Sequence, residues 1–356
     1  MLISHVWLNQ FRNLTEQTVY LTPATMVAGV NNQGKTNFLD AIYFGLTGTS
    51  FRSTKVDQVI SLNQSHACVG IQWHQSERDY SFFRKVSLNT KSILEMSAKS
   101  ASPLPPIGVA FWTDDIIRLF QESPDARRSA LDRFYALLNP DYTQSLSQYR
   151  VLLKKRNMAL KNKNNPFLIA IQDSFIQSAH SVVTHRVAAL QQLGELLNQC
   201  LGGLSHFPIT HFDMTYLPKR LSLTNYKADL LQFLHDRSDL ELVLGYTTHG
   251  PHCDDYSIID VPTGHSLLTH FSRGINRCVA IAFESIVWQT SRQVGIGLLD
   301  DVFSEIAIDL RRDMLQHVAR IFSQLVVVST LSEDRHLIPF NRHLWVENGG
   351  ICEINC

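Results

Sequence analysis

The sequence lacks any CxxC pair. Its six cysteines (Cys68, Cys200, Cys253, Cys278, Cys352 and Cys356) are scattered, and no histidine stands beside the one close pair, Cys352 and Cys356, at metal-ligand spacing. Zinc ribbons and disulfide frameworks are thereby excluded, and reduced thiols of a cytoplasmic protein are expected. The 15 histidines contain no HExxH-like spacing, so a hydrolytic zinc centre is not expected either. Charge of either sign is not in excess. Lys plus Arg and Asp plus Glu are 32 each, so no global field draws the chain toward a polyanion or a membrane, and any such binding must come from a local face. No apolar run approaches the roughly 18 residues of a membrane span, and Met1-Leu2-Ile3-Ser4-His5 holds no basic leader ahead of an apolar stretch. Neither repeats nor a low-complexity linker are found. What remains, at 356 residues, 44% hydrophobic and 18% charged, is an ordinary globular chain of one large or two modest domains.

Short β-branched and aromatic stretches predict strands at Val6 to Leu8, Thr18 to Leu21, Met26 to Gly29, His66 to Trp73 and Tyr80 to Ser87. A helix from about Lys35 to Leu46, with Phe38, Ile42 and Leu46 on one face, interrupts them. After Trp112 the pattern turns helical. Pro124 opens one helix to Leu138, and periodicity then runs from Tyr142 to about Leu201, broken near Asn164-Asn165-Pro166. Strands return at Phe212 to Leu217 and Tyr256 to Val261. The last third alternates: helix Asn276 to Gln289, strand Val294 to Leu299, helix Ile308 to Phe322, strand Leu325 to Ser329. Such alternation implies a parallel sheet. The economical reading is a discontinuous α/β head of residues 1–112 plus 244–356, with a mainly helical insert of residues 113–243. That insert is too short for two arms of a long hairpin coiled coil.

Gly29-Val30-Asn31-Asn32-Gln33-Gly34-Lys35-Thr36 matches GxxxxGK[ST], after an apolar strand and at the start of an amphipathic helix. Glycines let successive N–H groups turn toward phosphate oxygens, Lys35 offers a compact charge to the β- and γ-phosphates, and the Thr36 hydroxyl suits Mg²⁺. The helix dipole adds to the pull on an anion. Gly29, Asn32, Gly34, Lys35, Thr36 and Asn37 are thus the expected contacts to ATP. A second signal is the apolar run Val294 to Leu299 ending in Asp300-Asp301. Asp300 is the expected holder of Mg²⁺ with Thr36, and Asp301 the group that orients the attacking water; paired acids at a strand end are also common helix caps. A third is Phe271-Ser272-Arg273-Gly274 before a helix, where Ser272 is on its own an ordinary N-cap.

In this order the residues resemble the RecF family within the SMC-like ABC-type ATPases. The resemblance rests on Phe11-Arg12-Asn13, the extended loop and helix Gly34 to Tyr43, and Ser50-Phe51-Arg52. In the insert it rests on Ser123-Pro124, Arg127-Arg128, Leu131-Asp132, Tyr149 and Leu153-Lys154-Lys155-Arg156-Asn157. Thr248-His249-Gly250-Pro251-His252 with Asp254-Asp255 completes it. It implies an ABC-type head with a helical second domain, in which Ser272 and Gly274 cap the γ-phosphate of ATP held by a second copy. It also implies an ATP-dependent homodimer, binding of gapped, single- and double-stranded DNA, slow DNA-stimulated hydrolysis, a part in recombinational repair and the SOS response, and work with RecO and RecR to load RecA. Departures from the pattern are Asn32 for a glycine, Ile275 for a glutamine, Cys253 for an arginine, Ala307 for an aspartate, and Ser329-Thr330 where a histidine is usual. The primary MgATP contacts are kept, while groups that tie two copies across the nucleotide are weakened.

Between Tyr142 and Gln172 stand six basic residues and no acid, among them Arg150, Lys154, Lys155 and Arg156. They form the expected DNA face, reading backbone and shape, since no aromatics interleave for base stacking; a solvated helix face is the plainer alternative. Two other classes stay open. An assembly protein that binds ATP with little hydrolysis fits the departures, and a P-loop enzyme acting on a small molecule fits the loop but not the Ser272 turn.

Overall fold

The computed structural model describes residues 2–75, 78–89, 93–98, 107–117, 123–293, 295–330, 334, 336–337 and 340–354; Met1, Val294 and Cys356, named above, lie outside the described residues. By its contacts the chain forms two units, Met1–Ile116 with Arg292–Cys356, and Ile117–Ser291. The segment 244–291, drawn with the head from sequence, falls in the second unit. Its strand and its long helix pair and pack with elements of that unit.

The first unit holds two sheets. The antiparallel one is built from β1 (Leu2–Asn9), β2 (Gln17–Tyr20), β4 (His66–Gln75), β5 (Arg78–Ser87) and β6 (Ile93–Ala98), in the order β2-β1-β4-β5-β6. The second contains β3 (Ala24–Ala28), β7 (Gly108–Thr113), β10 (Gly295–Asp300), β11 (Gln324–Val328), β12 (Arg342–Glu347) and β13 (Gly350–Glu353), in the order β13-β12-β3-β11-β10-β7. All its pairs are parallel except β12 with β13. Periodicity explains the difference. Along β1 burial falls on Ile3, Val6 and Leu8, whereas β11 is buried at every residue, as a strand covered on both faces must be. Helix α1 (Lys35–Thr47) buries Phe38, Leu39, Ile42 and Phe44 in one core with Val69 and Ile71 of the first sheet and Leu298 and Val326 of the second. It ends at Gly48, whose left-handed φ of 78° lets its N–H close on the Phe44 carbonyl.

Sequence patterning did not single out the β12–β13 hairpin. Its two-residue loop is Asn348-Gly349, both at positive φ (49° and 77°), the chemistry of a type I′ turn.

The second unit is mainly helical. Helices α2 (Pro124–Leu138), α3 (Pro140–Lys161) and α4 (Asn165–Gly202) each start on a side-chain cap, Ser123, Asn139 and Asn164, with a proline in the first turn. Strands β8 (Phe212–Leu217) and β9 (Asp255–Asp260) pair antiparallel. Two short helices, α5 (Tyr226–Asp236) and α6 (Ser238–Leu244), fall between them and were not expected. After α7 (Leu267–His270), helix α8 (Arg273–Thr290) begins three residues earlier than its apolar stripe suggests, because Ser272 caps it by accepting from the Ile275 N–H. No helix among the described residues is long and apolar enough to cross a membrane.

Candidate nucleotide pocket and the polar web of the second unit

Parallel pairing assembles the pocket. β10 pairs with β11, Asp300 beside Val328, and β11 pairs with β3, Val328 beside Val27. The end of β10 therefore lies level with the strand end that delivers the Gly29–Thr36 loop, two strand spacings or roughly 10 Å across. On the other side β7 brings Thr113 beside Asp300, and the chain continues into Asp114. A cavity of about 360 Å³ results, lined by the loop, Lys35, Thr36, Arg52, Asp114, Asp300, Asp301 and Thr330.

The loop fits a phosphate chain by what it cannot contain. A Cβ on Gly29 (φ 149°) would stand 2.4 Å from the Val346 carbonyl oxygen, and Gly34 sits at φ 121°. Asn32 holds φ 62°, a conformation asparagine tolerates where the family pattern has glycine. The turn of the β12–β13 hairpin props the loop: Asn348 N–H donates to Gln33 Oε1 at 2.6 Å and Gly349 N–H to the Gln33 carbonyl at 3.1 Å. Lys35 Nζ donates to the carbonyls of Gly29 (2.7 Å) and Val30 (2.9 Å). Burial lowers the Lys35 pKa, against the pull of Asp300 and Asp301. Burial raises that of Asp300, as do Asp301 and Asp114, while the nearby Thr36 hydroxyl and the charge of Arg52 work the other way. Thr36 and Asp300 thus line one cavity, an oxygen donor pair suited to a hard divalent cation. Asp301 sits at φ 53°, with its N–H on the Val328 carbonyl.

Behind the pocket, the short N-terminal motifs meet on one buried carboxylate. Asp40 accepts from Arg12 Nε (2.8 Å), Ser50 Oγ (2.9 Å) and the Phe51 N–H (2.9 Å). Asn37 accepts from Arg52 Nη1 at 2.9 Å and donates to Asn13 Oδ1 at 2.7 Å, so it links the loop helix to Arg52 at the pocket wall. Sequence reasoning assigned no role to Arg52 or Asp114. The signal for Asp114 was present, since Trp112-Thr113-Asp114-Asp115 is another strand ending in paired acids. In place of the usual histidine, Ser329 donates to buried Asp334, which also takes Arg311. Ala307 stands at the N-cap of α9 (Ile308–Ala319) with no side-chain cap bond.

In the second unit the motifs close on one another. Asp132 accepts from Arg186 through Nε (3.0 Å) and Nη2 (3.1 Å), from Tyr142, and more loosely from Arg150 (3.4 Å). Arg127 pairs with Asp255, and Asp254 accepts from Tyr216 Oη (2.8 Å) and the Lys219 N–H (2.9 Å). His252 Nε2 faces the Thr247 carbonyl at 3.0 Å and must donate there, so Nδ1 accepts from Tyr149 Oη at 2.6 Å. Gly250, at φ 134°, leaves room for that hydroxyl, which a Cβ would approach to 2.8 Å.

One expected DNA contact is corrected by this web. Arg156 is buried: Nη2 lies 2.7 Å from Glu241 Oε2, Nη1 donates to Thr247 Oγ1 at 2.6 Å, and the guanidinium covers the Phe175 ring. A group so enclosed holds the fold and does not reach a phosphate. Lys154 and Lys155 are exposed, and Arg150 has a side chain 64% exposed despite its contact to Asp132. Ser272 and Gly274 occupy the N-terminus of α8, Ser272 exposed and Gly274 buried.

No family model matches the chain. Among curated relatives it is 29% identical over 351 residues to "DNA replication and repair protein RecF" of Halothermothrix orenii, covering 90% of this chain and 91% of the relative. Among solved structures it is similar to the recombination mediator protein RecF with ATP, in the RecFOR pathway, at TM-score 0.67 and 20% identity over 99% of this chain and 97% of that one. An Smc head bound to the C-winged helix domain of ScpA follows at TM-score 0.56 and 14% identity, with 99% and 97% covered. The resemblance to RecF therefore holds along nearly the whole chain, and the fold is that of RecF and of SMC-type ATPase heads.

Proposed function

We propose that this chain binds MgATP in the pocket of its first unit and serves DNA replication and repair as a nucleotide-gated DNA-binding clamp of the RecF type. The observation that carries the reading is one cavity holding the glycine-bent loop, Lys35, Thr36 and Asp300 together. Loop N–H groups and Lys35 bind the phosphates, while Thr36 and Asp300 hold Mg²⁺, which supplies charge neutralisation when bound. Asp301 orients water, and its fixed backbone with the N–H on Val328 supports that task. Ser272 and Gly274, at a helix N-terminus, cap the γ-phosphate bound by a second copy. ATP then acts as an interface component of a homodimer, with RecO, RecR and RecA as downstream partners and hydrolysis as a slow release step.

A second reading, an assembly protein that binds ATP with little hydrolysis, draws on Ser329. Its hydroxyl is committed to Asp334 where the family pattern has a histidine. One experiment separates them. Light scattering of Asp301→Asn with saturating MgATP and duplex DNA should give a dimer, against a monomer without nucleotide. A monomer in both conditions sinks the composite-site model. A parental hydrolysis rate near zero even with DNA favours the second reading.

A further inference from the structure

A cavity of about 550 Å³ opens between α2 and α3, and the nucleotide pocket does not use it. Arg133, Arg150 and Lys154 line it, with the hydroxyls of Ser129, Thr143 and Ser147. Its one lining acid, Asp132, is already held by both arms of buried Arg186. Arg150 is only the looser partner of that carboxylate, and Lys154 is exposed. The remaining cation, Arg133, is half-exposed and reaches over Phe283 to pair with Glu284, a buried carboxylate of α8. Counting Arg133, Arg150, Lys154 and Arg186 against Asp132 and Glu284 leaves two positive charges at the cleft. Guanidinium forks beside hydroxyl donors are the chemistry that holds a phosphodiester.

We propose that this cleft binds a backbone phosphate of nucleic acid through Arg133, Arg150 and Lys154, and that Arg133 exchanges Glu284 for the phosphate on binding. The proposal rests on the DNA-binding part of the function proposed above. It replaces Arg156 and Lys155 of the sequence-derived face with Arg133. The exchange has a direction. Burial raises the Glu284 carboxyl above its ordinary range, so once Arg133 leaves, Glu284 is placed to take up a proton. Glu284 lies on the helix that Ser272 opens, so phosphate in the cleft alters an ion pair on the helix that begins with Ser272 and Gly274.

Two variants must then move in opposite directions. The full chain is titrated with MgATP into a labelled duplex oligonucleotide of about 30 base pairs. Arg150→Ala with Lys154→Ala, both at exposed positions, should weaken binding about tenfold or more and lower the salt slope by up to ~0.9 per lost contact. Glu284→Gln, which frees Arg133, should tighten binding several-fold. Parental affinity and salt slope in the double variant, or weaker binding in a folded Glu284→Gln, overturns the cleft and leaves the nucleotide-gated reading standing. A parent that binds no duplex overturns both. Displacement of the duplex by inorganic phosphate, beyond that by chloride at equal ionic strength, assigns the cleft to free phosphate and overturns the nucleic-acid proposal.

Discussion

The two units handle polar groups in opposite ways. In the first, Lys35, Thr36, Asp300, Asp301 and Arg52 line an open cavity. In the second, Asp132 with Arg186 and Glu241 with Arg156 are buried ion pairs. Both sets combine Arg or Lys with Asp or Glu. What separates a site from a scaffold here is whether the charges border a cavity or are closed into buried pairs. A buried, paired charge fixes one packing arrangement, and losing one member leaves the other stranded. A charge that borders a cavity tolerates replacement better in stability than in function.

The contrast predicts a ranked set of outcomes. Asp132→Ala strands the Arg186 guanidinium, whose side chain is 4% exposed, and should cost about 3–5 kcal/mol in urea unfolding. A loss under about 1 kcal/mol would mean that the web does not hold the unit together. Glu284→Gln should show a smaller effect with a pH signature. The folded carboxyl is raised above its ordinary value of 4.5. The parent therefore keeps this contribution in full below that pH and loses it as pH rises through the folded value. The variant does not titrate, so it should gain on the parent between acid and neutral pH; a pH-independent difference in melting temperature rejects the linkage. The smallest stability effect belongs to Lys35→Ala, about 1 kcal/mol or less, because burial already opposes its charge. The same variant should nevertheless lose ATP binding by equilibrium titration. If it unfolds instead, the pocket is scaffold as well and the contrast collapses.

Much of this was legible in the chain. The loop, the acids ending β10, the Pro124 start of α2 and the break at Asn164-Asn165-Pro166 before α4 are local chemistry, set by spacing a few residues long. Arg156 was misread because a count of basic residues does not say which way each one points. The periodicity held the answer: Arg156 lies seven residues after Tyr149 and four before Leu160, both buried, and so shares their face. Its partner Glu241 is distant in sequence, as Asp40 is from Arg12, and no local pattern joins such pairs. The Asn348-Gly349 pair is itself a local hairpin signal.

That hairpin gives the far end of the chain a hand in the near end. Its turn carries the hydrogen bonds to Gln33, and β12 brings the Val346 carbonyl against Gly29. The phosphate loop is therefore braced by a segment 315 positions away in the sequence, joined to it only by the fold. Asn13 braces the same residue, donating to the Gln33 carbonyl at 3.2 Å. A chain cut short before Asn348 would keep every residue of the loop and lose the hairpin's share of its support. Its affinity for nucleotide is expected to fall although the loop sequence is intact.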